Sequence, residues 1–354
     1  MPLAGRVSTL RSSHAVGVTA SQQRADEAAL LASAARGEAR LHVSTLDGEL
    51  LALGAFHREP RGAGPQRWRR FSGGRALAVG GGFRVVTLAL PHRAALVAET
   101  RTALRPEQVL NRCVRGVLAT LRGAGAAALY PGLDLVTVGG RGIAQLGLCE
   151  DSQGATLFQA VIAWSASFAR TAERLDRADP DGVVPMALVP EDHFIHVHAL
   201  SGSASSHDDL ATFAGLVRES YGSTFGVTVI ADALPPAGET ARDGHEPGPG
   251  VEPRPGAGEA TAKGAIGLVT AWVARGPSTI EAAGLSGDFI APPDFPAALG
   301  ARLAGAAPTE EDIARALTGW LDGEDRYLLG LRERALVELL ATAASRAIEA
   351  SRVG

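Results

Sequence analysis

Residues 69–75 read RRFSGGR: two arginines run through a phenylalanine and a serine into two glycines and a third arginine. Guanidinium groups bind carboxylates and phosphates through paired hydrogen bonds. Glycine lets backbone N–H groups approach an anion that a Cβ would keep away. The stretch therefore predicts a loop that holds a negatively charged group against bare backbone.

Composition and charge narrow the class of protein. The chain has 354 residues, is 46% hydrophobic and carries a net charge of −4, which is typical of a globular protein. A balanced charge gives no reason to expect nucleic-acid binding, and the absence of an apolar run of about 18 residues predicts no membrane span. Cys113 and Cys149 have neither metal-ligand nor disulfide spacing, which favours a reducing cytoplasm.

The sequence before the glycine loop predicts a helix and a strand hairpin. Residues 21–36 are rich in alanine and leucine, with Ser21 as a candidate N-cap and Gly37 as a C-terminal stop. Residues 39–46 and 49–56 are apolar runs separated by an Asp-Gly pair at 47–48. An Asp-Gly pair between apolar runs is typical of a two-residue hairpin.

The sequence after the loop predicts further strands and two amphipathic helices. Apolar residues recur at helical spacing in 105–125, where Pro106 suits a first turn. A second helix is predicted to start near Asp208 or Asp209. Strands are predicted at 83–91 and 156–164, and a hairpin over 133–148 turns at Gly139-Gly140.

Shifts in composition divide the chain into four segments. Residues 1–15 predict a disordered leader without the apolar segment of a signal peptide. Residues 16–231 form the main α/β unit, and 232–262 are a Pro/Gly-rich linker that lacks apolar surface to bury. Residues 263–354 predict a small α+β unit that contains two short helices and a long C-terminal helix.

In this order, the helix, glycine loop, strand, long helix and second hairpin resemble the lipoate–protein ligase A family, within the biotin/lipoate A/B ligase superfamily. The resemblance covers roughly residues 16–230, and residues 264–295 are similar to the accessory domain of these ligases. It implies an α/β fold with a mixed sheet flanked by helices, followed by a small α+β accessory domain. It also implies an ATP- and Mg²⁺-dependent reaction in which lipoate or octanoate becomes an acyl-adenylate.

The resemblance further implies transfer of the acyl group to a lysine of a lipoyl carrier domain, from a 2-oxoacid dehydrogenase or a glycine cleavage protein. Residues 69–74 match the family's RRxSGG loop, and Arg70 is the best candidate for a phosphate or carboxylate clamp. Residues 131–134 match the PGxND region, with Leu133 in place of asparagine. The implied substrate- or nucleotide-binding residues are Arg69, Arg70, Ser72, Gly73, Gly74, Arg75, Asp134 and Arg141.

The sequence departs from the family where charge is needed. Arg75 replaces a third glycine, Val79 and Gly80 replace a His-Asp pair, and Gly142 replaces the lysine of the family's GRKI motif. Arg141 cannot fill the lysine position, since neighbouring strand residues face opposite sides. Arg75 is the better candidate for a relocated charge, because it belongs to the glycine loop itself.

Two functions are therefore open. The retained RRFSGG loop favours an acyl–protein ligase, which we take as the leading expectation. Gly142 favours a non-catalytic relative that binds a lipoyl-like ligand or a partner protein, and no catalytic residue is assigned with certainty.

A histidine-rich segment at 191–209 suggests a different chemistry. On a strand, His196 and His198 would share a face, with His193, His207 and Asp208 nearby. Such a group could bind zinc. Because the spacing contains no tight ligand quartet, we favour a polar strand and a capped helix and predict no metal site.

Overall fold

The computed structural model describes residues 5–97, 104–184, 191–201, 209–235, 252–321 and 326–353. Within these ranges the chain forms three β-sheets and eight α-helices. The mixed α/β fold predicted from the sequence is confirmed. Among the described helices, none combines the length and the apolar character needed to cross a membrane.

The largest sheet is mixed and forms the centre of the molecule. Its strand β1 lies parallel to both of its neighbours, and all other neighbouring strands are antiparallel. In spatial order the described strands are β11 (Thr228–Ala231), β1 (Thr9–Val18), β2 (Arg40–Leu46), β6 (Phe83–Leu90), β10 (Thr156–Ala163), β9 (Arg141–Glu150), β8 (Leu135–Val138) and β7 (Leu129–Gly132).

Helices cover both faces of the central sheet. Side chains alternate along β10, so Leu157 packs with the helix α1 (Ala20–Ala35) while Phe158 joins the main core on the opposite face. That opposite face is covered by α2 (Pro106–Gly123) and α5 (Leu210–Phe225). Two shorter helices, α3 (Thr171–Ala178) and α4 (Val197–Ser201), lie between β10 and α5 in the sequence.

The helix ends largely follow the sequence prediction. Pro106 occupies the first turn of α2, and the Asp209 carboxylate accepts a hydrogen bond from Thr212 N at the start of α5. The predicted cap of α1 was wrong: Thr19 caps it instead of Ser21, and its hydroxyl accepts a hydrogen bond from Gln22 N. Either hydroxyl satisfies a free first-turn N–H, so composition alone does not choose between them.

The predicted hairpin around Asp47-Gly48 was wrong, because its two strands belong to different sheets. All seven residues of β2 are buried in the central sheet. The next strand, β3 (Glu49–Leu53), is the middle of a small sheet with β4 (Gln66–Arg69) parallel and β5 (Leu77–Gly80) antiparallel to it. Gly48, at a positive φ of 64°, turns the chain from one sheet into the other.

The predicted leader was also wrong from Thr9 onward, where β1 begins. Leu10 is fully buried and Ser12 is 2% exposed, so the strand contributes alternate residues to the main core. Arg11 between them is exposed, and so are His14, Val16 and Gly17, which hides the strand pattern from composition. Residues 1–4 of the predicted leader lie outside the described residues.

A third, antiparallel sheet follows the Pro/Gly-rich segment. The predicted linker ends too late, since residues 258–262 belong to the first strand of this sheet, and residues 236–251 lie outside the described residues. Its described elements are β12 (Gly258–Lys263), β13 (Leu268–Arg275), β14 (Ile280–Gly287), α6 (Phe295–Leu303), α7 (Glu310–Leu317) and α8 (Glu333–Val353). The division of the chain into separate domains stays a prediction.

The glycine loop is the place where the third sheet meets the rest of the molecule. The rings of Phe56 and Phe289 stack at a centroid distance of 4.4 Å. Gly74 N donates to Phe289 O at 2.9 Å, and a Cβ on Gly73 would lie only 2.3 Å from the same oxygen. Glycine is thus required at position 73 for close contact between two backbones.

We expect Gly73→Ala to lower the free energy of unfolding by about 1–3 kcal/mol, because its methyl group must push the Phe289 backbone away. Gly81→Ala is the matched control, since its added Cβ would lie 3.6 Å from Leu46 O, an ordinary contact. Urea unfolding of both variants checks this. Equal stability of the two would contradict the contact.

Candidate functional site

The RRFSGGR stretch leaves β4 and contacts Phe289, just after the last strand of the third sheet. Arg69 is the last residue of β4, but its guanidinium points to the neighbouring loop. Its Nη1 donates to His57 O at 2.6 Å, and its Nη2 pairs with Glu59 at 2.7 Å. In this structure Arg69 fixes the 55–59 loop.

Arg70 is a buried cation. Its side chain is 1% exposed, Nη2 donates to Arg75 O, and Nε has no hydrogen-bond partner among the described residues. Burial lowers its pKa to about 10, against the opposing charges of Glu27, Asp134 and Asp288. The guanidinium therefore stays charged at neutral pH, and the three carboxyl groups act on it through their charge.

Glu27 anchors the loop from α1. Its carboxyl group is fully buried and accepts hydrogen bonds from Trp68 Nε1 at 2.9 Å, Phe71 N at 3.0 Å and Gln159 Nε2 at 2.8 Å. Burial raises its pKa, although the hydrogen bonds and the Arg70 charge oppose the shift. No motif marks this glutamate, since its partners come from three separate elements.

Ser72 and the two glycines are also engaged within the protein. The Ser72 hydroxyl donates to Gln159 Oε1 at 3.0 Å. Gly73 N donates to Leu148 O at 3.3 Å, and Gly74 N donates to Phe289 O. In this structure the loop amides expected to face a nucleotide are bonded to protein carbonyls.

Arg75 and Asp134 form the ion pair at the centre of the site. Arg75 Nε lies 2.7 Å from Asp134 Oδ2, and Nη2 lies 3.4 Å from Oδ1. The Gln145 amide nitrogen, in the orientation that satisfies its neighbours, donates to Asp134 Oδ2 at 3.1 Å. Burial raises the pKa of Asp134 against the effect of Arg75. Burial disfavours the Arg75 charge, but Asp134 and Asp288 hold the Arg75 pKa above its ordinary value.

A pocket with a cavity volume of about 40 Å³ opens beside this ion pair. Its polar lining comes from Arg75, Gln145, Thr171 and Asp288, and its apolar lining includes Phe194. A space of this size holds water molecules but not a nucleotide. Of the arginines predicted to bind substrate, Arg75 lines the pocket, whereas Arg69 and Arg70 do not.

Asp288 connects the pocket to a buried histidine. Its Oδ1 lies 3.0 Å from Nε2 of His57, and its Oδ2 accepts a hydrogen bond from Leu268 N at 2.9 Å. His57 cannot be recognised from the sequence, because 231 positions separate it from Asp288. The pair joins the 55–59 loop to the third sheet.

Gly142 lies under the ring of Phe194. Its backbone bridges to Phe194, and Ile195 N donates to Gly142 O at 2.9 Å. A Cβ on Gly142 would lie 3.0 Å from Leu135 Cδ1 and 3.1 Å from Phe194 Cδ1. The space beside Gly142 is thus filled by neighbouring side chains, and Arg141 next to it is exposed.

The histidine-rich segment does not form the strand that the zinc hypothesis requires. His196 precedes α4, and His198 lies on α4 against the ring of Trp164. No group of three or more metal-ligating side chains occurs among the described residues. His207 and Asp208 lie outside those residues.

Comparison with known proteins identifies the fold. No protein-family model and no curated protein matches the chain. Plasmodium falciparum LipL1 in complex with lipoate is similar in structure, with a TM-score of 0.55 and 11% identity over 88% of this chain and 93% of that one. The chain therefore has the biotin/lipoate ligase fold.

Two further solved structures are similar at lower scores. A lipoate–protein ligase A bound with ATP has a TM-score of 0.47 and 14% identity over 67% of this chain and 92% of that one. The biotin protein ligase of Leishmania major in complex with biotin has a TM-score of 0.35 and 14% identity over 75% and 94%.

We expect Glu27→Gln to lower the free energy of unfolding by about 1–3 kcal/mol. Three N–H groups donate to the carboxylate, and glutamine replaces one of its two acceptor oxygens with an NH₂ group that cannot accept them. Glu219→Gln, an exposed change on α5, is the control. Chemical denaturation of both proteins gives the comparison. A Glu27→Gln protein as stable as the control would show that the buried network adds nothing to the fold.

Proposed function

We propose that the protein is a cytoplasmic ligase of the lipoate–protein ligase type. In the proposed reaction a lipoate or octanoate carboxylate oxygen attacks the α-phosphorus of ATP, and pyrophosphate leaves. A lysine amine of a lipoyl carrier domain then attacks the acyl carbonyl, and AMP leaves. The biotin/lipoate ligase fold, shared with a structure that holds lipoate, supports this class of reaction.

The observation that carries the proposal is the position of Arg75. Its guanidinium lines the same pocket as Phe194, the ring that packs on Gly142, so a permanent positive charge remains near the position aligned with the family's lysine. A fixed cation next to a developing negative charge is a large contribution to catalysis. Asp134 holds Arg75 in place and is itself held by a hydrogen bond from Gln145, which is the geometry expected of a preorganised charge.

The pocket must enlarge before it can take a nucleotide. Arg75 is the residue that would contact its phosphates, and Asp288, which lines the pocket, is a carboxylate of the kind that binds Mg²⁺ together with phosphate oxygens. Phe194 is the pocket-lining side chain whose displacement would give room, since it is half-buried and packs edge-on against Phe168 at the pocket. Mg²⁺ would neutralise phosphate charge there.

A second function is favoured by the packing of Phe194 on Gly142. In a non-catalytic relative, a side chain could occupy the space that the lysine needs. Such a protein would bind a lipoyl-like ligand or a partner protein without activating it. The two proposals differ in one product. Incubation with ATP, Mg²⁺ and lipoate or octanoate yields acyl-AMP and pyrophosphate under the first, and ligand binding without turnover under the second.

We expect Arg75→Ala to lower the rate of acyl-adenylate formation by roughly 10²–10³-fold, the usual cost of removing one preorganised donor. Mass spectrometry of acyl-AMP and a pyrophosphate-release assay measure it. Arg334→Ala, an exposed change on α8, is the control and should match the wild type. If Arg75→Ala and the control turn over equally, Arg75 is not the relocated charge.

We expect Gly142→Lys alone to raise adenylation little, because its Cβ meets Phe194 at 3.1 Å. Gly142→Lys combined with Phe194→Ala should exceed both single variants, since the second change makes room for the ammonium group. The same acyl-AMP assay compares the four proteins. A double variant no faster than the wild type would argue against aligning Gly142 with the family's lysine.

A further inference from the structure

Another pocket lies at the opposite part of the central sheet, between β1, α1 and the chain that follows β11. Its cavity volume is about 740 Å³, within the usual range for small-molecule sites. It shares no lining residue with the pocket at Arg75. Its lining includes Ser13, His42, Asp26 and Arg218.

Three of these side chains form a line. Ser13 and His42 are register partners on the parallel strands β1 and β2, so both project toward α1. The Ser13 hydroxyl lies 2.9 Å from His42 Nδ1, and His42 Nε2 lies 3.7 Å from Asp26 Oδ2. Ser13 is partly exposed, whereas the histidine is 1% exposed and its Nε2 has no hydrogen bond among the described residues.

We propose that Ser13 is the nucleophile of an acyl-ester hydrolase site, with His42 as its general base and Asp26 as a positioning residue. The substrate is a small ester whose acyl part carries a carboxylate. The arrangement has the connectivity of a nucleophile, a base and an orienting acid, which recurs on unrelated folds. It is independent of the ligase proposal.

The chemistry balances without a cofactor. Ser13 Oγ attacks the ester carbonyl carbon and passes its proton to His42 Nδ1. The alkoxide leaving group takes that proton as the carbon–oxygen bond to the alcohol breaks, which leaves an acyl group on Ser13. Water then attacks the acyl carbon, gives a proton to His42 and releases the acid, and Ser13 recovers the proton.

Asp26 is held in a position that suits the orienting role. Its Oδ1 accepts a hydrogen bond from Gln22 Nε2 at 2.7 Å, which leaves Oδ2 toward the imidazole. The distance of 3.7 Å from Oδ2 to His42 Nε2 exceeds a hydrogen bond. Catalytic hydrogen bonds are often long before substrate binds. A small rotation of the His42 ring or of the Asp26 carboxyl group would bring the two atoms within hydrogen-bond distance.

The sheet itself offers donors for an oxyanion. The pairing of β11 with β1 ends at Ser12, opposite Ala231, while β1 continues to Val18. Among the described residues no strand covers that edge of β1 beyond Ser12. Uncovered edge amides beside the nucleophile are groups of the kind that bind a developing oxyanion.

Arg218 determines the preference for an acidic acyl group. It is half-buried in the pocket lining and has no hydrogen-bond or ion-pair partner among the described residues. The nearby carboxylate Asp232 is already paired with Arg11 at 3.1 Å and with Arg40 at 3.5 Å. Arg218 is thus available to a ligand carboxylate through its two-pronged geometry.

The experiment combines labelling with turnover. The full-length protein is treated with a fluorophosphonate probe, and peptide mass spectrometry should locate the adduct on Ser13. Hydrolysis of mono-p-nitrophenyl succinate should exceed that of p-nitrophenyl butyrate by about tenfold or more, and Arg218→Gln should remove this preference. Ser13→Ala should abolish the adduct and the hydrolysis, while Ser21→Ala, an exposed serine on α1, should keep both.

Asp26→Asn tests the positioning role. Its kcat should fall with KM unchanged, and Asp26→Glu should restore part of it, which a purely structural role would not predict. The pH profile is a second readout, and the groups around the imidazole are Ser13 and His14 on β1, Gln22 and Asp26 on α1, Thr87 on β6 and Arg218 on α5. Burial, and then His14, lower the pKa of His42 to about 4, so the acid limb should lie near pH 4 instead of near the ordinary histidine value.

The proposal fails if the wild-type protein gives no Ser13 adduct with excess probe, a result that needs no variant. It also fails if Ser13→Ala hydrolyses the succinate ester as fast as the wild type. An adduct on Ser13 with equal rates for the two esters would overturn the assignment of Arg218.

Discussion

The buried charge of Arg70 is the constraint on which the site region depends. A guanidinium cannot lie inside a protein without compensation, and here carboxyl groups from three distant parts of the chain supply it. Glu27 comes from α1, Asp134 from the turn before β8 and Asp288 from the end of β14. Glu27 also accepts a hydrogen bond from Phe71 N and Asp134 pairs with Arg75, so these two carboxyl groups fix the loop between β4 and β5 and with it the position of Arg75.

Sequence patterns correctly predicted those helices and strands that are determined by their own local residues. The apolar runs of β6 and β10 and the helical spacing of α2 require no partner to be recognised. The turn at Gly139-Gly140 joins β8 and β9 as predicted, with both glycines at positive φ. The predicted hairpin at Asp47-Gly48 was wrong. A turn signal in the sequence indicates that the chain changes direction, but it does not determine which sheet the next strand joins.

The RRFSGGR motif showed where the loop lies in the chain, but it did not predict which groups its residues contact. Arg69, Arg70 and the two glycine amides are engaged by protein groups, and those groups are contributed by tertiary structure. Partners such as Phe289, far away in the chain, are not visible from local spacing. The same holds for Phe194, since nothing in the segment around it indicates that its ring closes the space above Gly142.

The hydrogen bond from Gly74 N to Phe289 O has a thermodynamic consequence. One N–H cannot serve two strong acceptors, so any anion that takes this amide competes with the carbonyl that ties the third sheet to the loop. Anion binding at the loop and attachment of the third sheet would then weaken each other. The coupling free energy is the same in both directions. If an anion did take this amide, its binding would be seen in the mobility of a sheet whose first strand follows the loop by more than 180 residues.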